Sequence, residues 1–435
     1  MNRVTTRLPE RHRQAHRRLP IWLNSKRAAM AAVALAMCGP GVATADAIQD
    51  WNGIALAATS TQNPLAQTRL VAITHLAMFE SVNAITRHYE PYLGTVAAPK
   101  GSSADAAAVA AAHRVLSTYV PAAASTLDAA RAASLAAIPD GQAENDGIAV
   151  GEAAAAAMIA NRASDGSSPP QSYLPVTAEP GEWLPTPGCP PTGGVLLNWR
   201  DVTPFGIERA DRYRLPVPPR LTSWQYTKAF LEVKIVGEVN SPVRPDDRTD
   251  VARYYAAALP VQVFSQVLAQ VGTAEGWSLS RNARAFALMT MSIMDALIAT
   301  FDTKYEYPFW RPVTAIQAAD TDGNPWTRRD ATWMPLIATP CHPSYPSAHA
   351  SGSNAGRRIA ERLFGSEHKV HVVLTHPAVP DVTLTYTRLW QITADIDDAR
   401  VYGGIHFRTD QDAGAFQGRR VADEVYWTQL WRRTH

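Results

Sequence analysis

An all-α domain with long Pro- and Gly-rich loops is the fold class that this sequence predicts. Residues 51–162 are Ala-rich, with apolar residues recurring at the three- and four-residue spacing of amphipathic helices. Residues 278–299 carry the broadest apolar stripe, placing Ala285, Leu288, Met289, Ile293, Leu297 and Ile298 together. Between them, residues 163–220 turn to Pro, Gly and Ser, punctuated by Tyr173, Trp183 and Trp199. An ordered loop of that length is uncommon unless it covers a site or packs over a face.

Taken in order, residues 1–27 are rich in Arg and His with one acid, Glu10, and precede an apolar run over 28–37 and small residues over 42–47. This pattern reads as a secretory signal over 1–47, cleaved after Ala45 or Ala47, and places the protein as secreted or periplasmic. The run is too short for a stable membrane span. Arg17-Arg18 lacks the twin-arginine continuation, and Met37 before Cys38 does not fit a lipoprotein site, so the export route stays open. Residues 48–435 then read as a single helical domain, with an N-terminal half over 48–220 and a C-terminal half over 221–435.

Helices are expected near 65–79, 104–118, 124–138 and 144–162, where Ala allows close backbone approach. They resume near 222–235, 248–258, 260–273 and 278–299, and a final helix covers 411–431. Residues 369–374 and 382–386 flank a Pro-containing turn and suggest a small hairpin. A formal net charge of +2 without acidic or basic blocks argues against a nucleic-acid partner. After export, Cys189 and Cys341 would remain, as a disulfide or as two thiols, and no Cys-x-x-Cys pair suggests zinc or iron–sulfur chemistry.

The chemistry is concentrated in three stretches. Lys304-Tyr-Glu-Tyr-Pro-Phe-Trp-Arg311-Pro312 supplies two cations, and Pro346-Ser347-Ala348-His349 supplies a hydroxyl, a tight turn and an imidazole. Arg400-Val-Tyr-Gly-Gly-Ile-His406-Phe-Arg-Thr-Asp410 supplies a third cation, a second imidazole and a carboxylate. A compact, multiply charged tetrahedral oxyanion taken out of water needs nearby cations and donors for its lone pairs. Lys304, Arg311 and Arg400 can do the first; Ser347 Oγ and the Ala348 N–H, at a helix start, can do the second. His406 and Asp410 are four apart, so on a helix Asp410 would orient the ring. His349, beside the donor turn, is placed for general acid–base work. Each residue alone has a plainer reading: solvated cations, a structural histidine, and Tyr305, Tyr307, Phe309 and Trp310 as core. Their conjunction favours a site.

That conjunction resembles the vanadium-dependent haloperoxidase and type 2 phosphatidic-acid phosphatase superfamily, whose pattern is Lys-x6-Arg-Pro, Pro-Ser-Gly-His and Ser-Arg-x5-His-x3-Asp. The first block matches in full, Ala348 stands for Gly in the second, and Ala399 stands for Ser in the third. The resemblance covers residues 304–410 and implies a helical bundle of the haloperoxidase and acid phosphatase type. It further implies that Lys304, Arg311, Ser347, Ala348 and Arg400 hold the oxygens of vanadate or phosphate. His406 would be the metal ligand or the phosphate-accepting nucleophile, with Asp410 behind it and His349 as acid–base. His342, seven residues before His349, occupies the offset that carries histidine in bromoperoxidase-type relatives; with Phe301 it marks a possible halide pocket, and Trp310 lies close in sequence. The implied activity is halide oxidation, bromide favoured, by hydrogen peroxide at vanadate, with catalytic His349, Lys304 and His406 and small-molecule partners: peroxide, halide and an organic acceptor. A secreted acid phosphatase without a metal is the alternative, and a periplasmic oxyanion-binding protein the non-enzyme alternative. The oligomeric state is not legible.

Overall fold

A computed structural model describes residues 46–433. The export reading of the N-terminus lies almost wholly outside them; Asp46, at its edge, caps the first helix by accepting from Ile48 and Gln49 N at 3.1 Å each. Among the described residues the chain forms α1 (Ala47–Ala58), α2 (Pro64–Thr86), α3 (Ala104–Tyr119), α4 (Ala124–Leu135) and α5 (Gln142–Asn161). After a long loop come α6 (Trp224–Val236), α7 (Asp246–Ala257), α8 (Pro260–Ala274), α9 (Leu279–Glu306) and α10 (Pro312–Gln317). The remainder is α11 (Ala348–Phe364), a hairpin of β1 (Val372–Leu374) and β2 (Leu384–Tyr386), α12 (Leu389–Tyr402) and α13 (Arg408–Thr428). The hairpin is antiparallel, pairing Val372 with Tyr386 and Leu374 with Leu384.

Three helices, α1, the short α10 and α12, are not anticipated by the periodicity. The polar run of Asp395, Asp397 and Asp398 interrupts the apolar stripe that would mark α12. The expected helix over 278–299 runs on to Glu306, because Thr300 and Thr303 turn their hydroxyls back onto the Ala296 and Ala299 carbonyls instead of breaking the helix.

The fold is organised on α9. It packs against α2 on one side and α11 and α13 on the other. By length and composition α9 could cross a membrane, yet its most apolar window is wholly buried, as in the core helix of a globular protein. The α11–α13 contact is tight because Gly414 and Gly418, one turn apart on α13, lie over the carbonyls of Ser347 and Ser351. A methyl group at Gly418 would overlap the Ser351 carbonyl. This close approach lets Ser347 N donate to the Asp410 carbonyl at 2.9 Å, so the starts of α11 and α13 meet.

The loop over 163–220 packs over α9 through short 3-10 turns at Leu197–Asp201 and Ala210–Tyr213. Asp295, fully buried in mid-helix, accepts from the backbone N–H groups of Phe205, Gly206 and Ile207 at 2.6, 2.7 and 3.0 Å. Burial pushes its carboxyl up to about 6, with those three donors opposing. Asp302 takes both arms of Arg214 at 2.8 Å. The loop is thus clamped along the helix that ends in Lys304.

Candidate active site

Three cations reach one point from three helices. Lys304 stands on the last turn of α9, Arg311 is the N-cap of α10, and Arg400 lies on the last turn of α12. All three are buried. Lys304 Nζ donates to the Pro343 and Ser344 carbonyls at 2.6 and 2.8 Å, which leaves one of its three hydrogens. Arg311 Nε donates to the His342 carbonyl at 2.9 Å and Nη1 to the Ile405 carbonyl at 2.8 Å. Arg400 Nη1 donates to the Tyr255 carbonyl at 2.8 Å, while its Nε is buried without a partner.

Carbonyls fix these cations without neutralising them. Burial, then the neighbouring Arg311, holds the Lys304 ammonium well below the usual lysine range. Burial draws Arg311 down to about 9 and Arg400 down to about 10. Cations desolvated in this way gain most from an anion placed among them. The donor turn lies beside them. Ser347 caps α11, its Oγ accepting from Ala350 N at 3.3 Å, so its hydroxyl hydrogen remains to be given. Ala348 is the first residue of that helix, where backbone N–H groups have no intrahelical acceptor.

The expected helical pairing of His406 with Asp410 takes another form. His406 precedes α13, and Asp410 is the third residue of the helix, folded back over its start. Asp410 Oδ2 accepts from Ser344 Oγ at 2.6 Å, from His406 Nδ1 at 2.9 Å and from Phe407 N at 3.1 Å. The carboxylate thereby holds the ring proton on Nδ1 and turns the Nε2 lone pair toward Arg311 Nη1, 3.0 Å away. Burial, reinforced by Arg311, Lys304 and Arg400, keeps this imidazole well below the usual histidine range, hence neutral. Burial pushes the Asp410 carboxyl up to about 6, with the Ser344 hydroxyl and Lys304 opposing.

His349 presents a buried Nε2 with no partner; burial and Arg400 hold its ring well below the usual range. His342 packs on Phe301 with ring centroids 5.2 Å apart, and its Nδ1 lies 3.1 Å from Arg311 Nη2. Ala348, His349, Arg400, His406, Phe301 and His342 all border one cavity of about 260 Å³. Trp310 does not: it stacks on Tyr226 in a separate apolar cluster.

Sequence reasoning misses Ser344, which bridges Asp410 and lies 3.3 Å from His406 Nδ1. No spacing marks it apart from the serines around it. It also misses the opposite wall of the cavity, where Leu65 from α2 and Leu196 from the long loop stand. The loop is tied here: Cys189 and Cys341 form a disulfide, and Val195 N donates to the Cys341 carbonyl at 2.9 Å.

Comparisons with known proteins point one way. Residues 284–432 match the family model of the VCPO second helical-bundle domain. A 92-residue stretch is 33% identical to vanadium chloroperoxidase of Curvularia inaequalis, covering 19% of this chain and only 14% of that relative. Among solved structures, a bacterial vanadium-dependent iodoperoxidase superposes with a TM-score of 0.73 at 21% identity, over 89% of this chain and 97% of its own. An apo-type bacterial vanadium-dependent chloroperoxidase gives 0.70 at 18% identity, over 90% and 96%. At these identities the structural likenesses speak for the helical fold.

Proposed function

We propose that the chain is a vanadium haloperoxidase, a reading supported by the match of residues 284–432 to the VCPO second helical-bundle domain, and that it uses hydrogen peroxide to oxidise halide, bromide first, at a histidine-held vanadate. The observation that carries this reading is the neutral His406 Nε2, held by Asp410 and facing three buried cations that have carbonyl rather than carboxylate partners. A tetrahedral oxyanion fits there. The unpartnered Arg400 Nε and His349 Nε2 are the polar atoms it would satisfy. The same likenesses leave the halide open, since the neighbours include an iodoperoxidase and a chloroperoxidase; the His342 ring at the cavity wall favours bromide.

Bound vanadate would supply a Lewis acid that activates peroxide without itself changing oxidation state. The protein's residues do the rest. Arg311 and Arg400 spread positive charge over the oxyanion, and Lys304 directs its remaining hydrogen toward it. Ser347 Oγ and the Ala348 N–H donate from the start of α11. His406 is kept in one tautomer by Asp410. His349, neutral with a free Nε2, takes a proton from incoming peroxide and returns it to departing water. The Cys189–Cys341 disulfide suits an oxidising compartment, which supports export of a mature chain beginning near Asp46; amino-terminal sequencing of secreted protein would test that.

The central test is a paired assay. Protein reconstituted with orthovanadate is expected to brominate phenol red with peroxide and bromide. Phosphate-ester hydrolysis without vanadate, and no oxidation of bromide, iodide or chloride, would replace this reading with the phosphatase one. Tight anion binding with neither reaction would leave an oxyanion-binding protein.

A further inference from the structure

The cavity has two chemistries. Its floor is Ala348, His349, Arg400 and His406, the last in contact with Arg311; its walls are Leu65, Leu196, Leu259, Leu297, Phe301 and Ile337. Apolar walls of this extent are more than a bare halide or peroxide needs. One wall residue is held at a conformational cost. Leu196 has φ 69° and ψ 23°, the left-handed region that favours glycine, where a side chain with Cβ costs about 1–2 kcal/mol.

The surrounding contacts hold it there. Val195 N bonds the Cys341 carbonyl at 2.9 Å, Tyr305 Oη donates to the Val195 carbonyl, and Leu197 N bonds the Gln171 carbonyl at 3.2 Å. Gly194 pairs with Tyr173 as an isolated bridge, and the disulfide pins the same strap to the loop of His342. A glycine would meet the backbone requirement without strain, and Gly193 and Gly194 stand three and two positions earlier in the same strap. The feature that a glycine lacks is the isobutyl group, and that group forms the wall of the cavity.

We propose that this cavity binds an apolar, uncharged organic acceptor of one or two rings against the oxyanion floor, and that Leu196 is the specificity-determining residue that seats it. At about 260 Å³ the cavity lies just below the usual range of ligand pockets, which excludes larger acceptors. The fate of the acceptor rests on the oxidase reading of the site; its binding does not.

The test is therefore made on vanadate-free protein, without peroxide or halide, by calorimetric titration with 2-naphthol. Wild type should bind one molecule saturably. Leu196→Gly relieves the strain but gives up the packing of Leu196 against the core, so it should melt within a few degrees of wild type, yet bind 2-naphthol about tenfold more weakly through loss of a leucine's contact area. Leu196→Trp should fill the cavity and abolish binding while sulfate affinity is unchanged. Absence of saturable binding to wild type, or equal binding by Leu196→Gly, overturns the proposal. Because no turnover is measured, a failure of halide oxidation would leave this result standing, and the reverse also holds.

Discussion

The floor and the wall of the cavity are built on opposite plans. The anion-binding groups at and behind the floor are mounted on helix ends, with Lys304, Arg311, Ser347, Arg400 and Asp410 all within the last or first turn of a helix or at its cap. Each is fixed by hydrogen bonds to backbone or neighbouring side chains. The wall is mounted partly on a loop strap held by a disulfide and by backbone contacts, and its groups interact by contact alone. The difference teaches that binding of the anion and choice of what lies beside it are separately adjustable. Changes to the floor should alter anion affinity at once, whereas changes to the wall should leave it untouched.

The strongest way to break that separation is at His406. His406→Ala is expected to weaken vanadate binding by about a hundredfold or more while the far-ultraviolet circular dichroism is unchanged; equal affinity in equilibrium dialysis would remove the histidine from the floor. Asp410→Asn keeps the shape but loses the charge that holds the His406 proton on Nδ1. A drop of about tenfold in vanadate affinity is expected there, with a smaller loss of stability.

Gly418→Ala tests whether the floor depends on helix spacing. Forcing α11 from α13 should cost about 1–3 kcal/mol in denaturant unfolding and lower sulfate affinity as the Ser347–Asp410 contact opens. A variant with wild-type stability would show that the helices have slack.

A gentler probe is pH. Arg311 is drawn down to about 9, and Lys304 lies well below its usual range, in the free site. An anion restores both charges, so binding must take up protons as pH rises through those values, and affinity must fall. Sulfate, whose charge is constant across that range, should bind progressively more weakly above about pH 9, by at most about tenfold per unit for each proton taken up. A flat profile would mean that the cations keep their protons across that range in the free protein. The smallest expected effect is at the wall: Leu259→Ala should shift sulfate affinity by less than about twofold, since apolar contact contributes little to a bound anion.

The same contrast explains what the sequence discloses. Floor residues are chemically distinctive, and their local spacing survives folding, so three short stretches are enough to point to them. What spacing does not give is burial. Lys304 reads as a solvated cation until α9 is seen to continue to Glu306 and carry it inward. The capping geometry of Asp410 is likewise hidden, because i and i+4 look alike inside a helix and across its start. The wall is illegible for a different reason: Leu65, Leu196 and Leu259 are leucines among many, brought together from α2, the long loop and the chain just before α8 by tertiary packing alone. Asp295 is similarly mute, since its three partners lie about ninety residues away in the chain.

Asp295 also bears on how the chain is made. If the chain is exported as proposed above, the unfolded segment that becomes α9 is long and apolar enough for a translocation channel to release it sideways into lipid as a stop-transfer sequence. A carboxylate near the helix centre opposes that partition by about 3 kcal/mol. On that proposal, the side chain that later anchors Phe205–Ile207 would also lower the chance of arrest in a bilayer during passage. Its replacement by leucine would be expected to reduce the yield of exported protein more than the melting temperature of what is recovered.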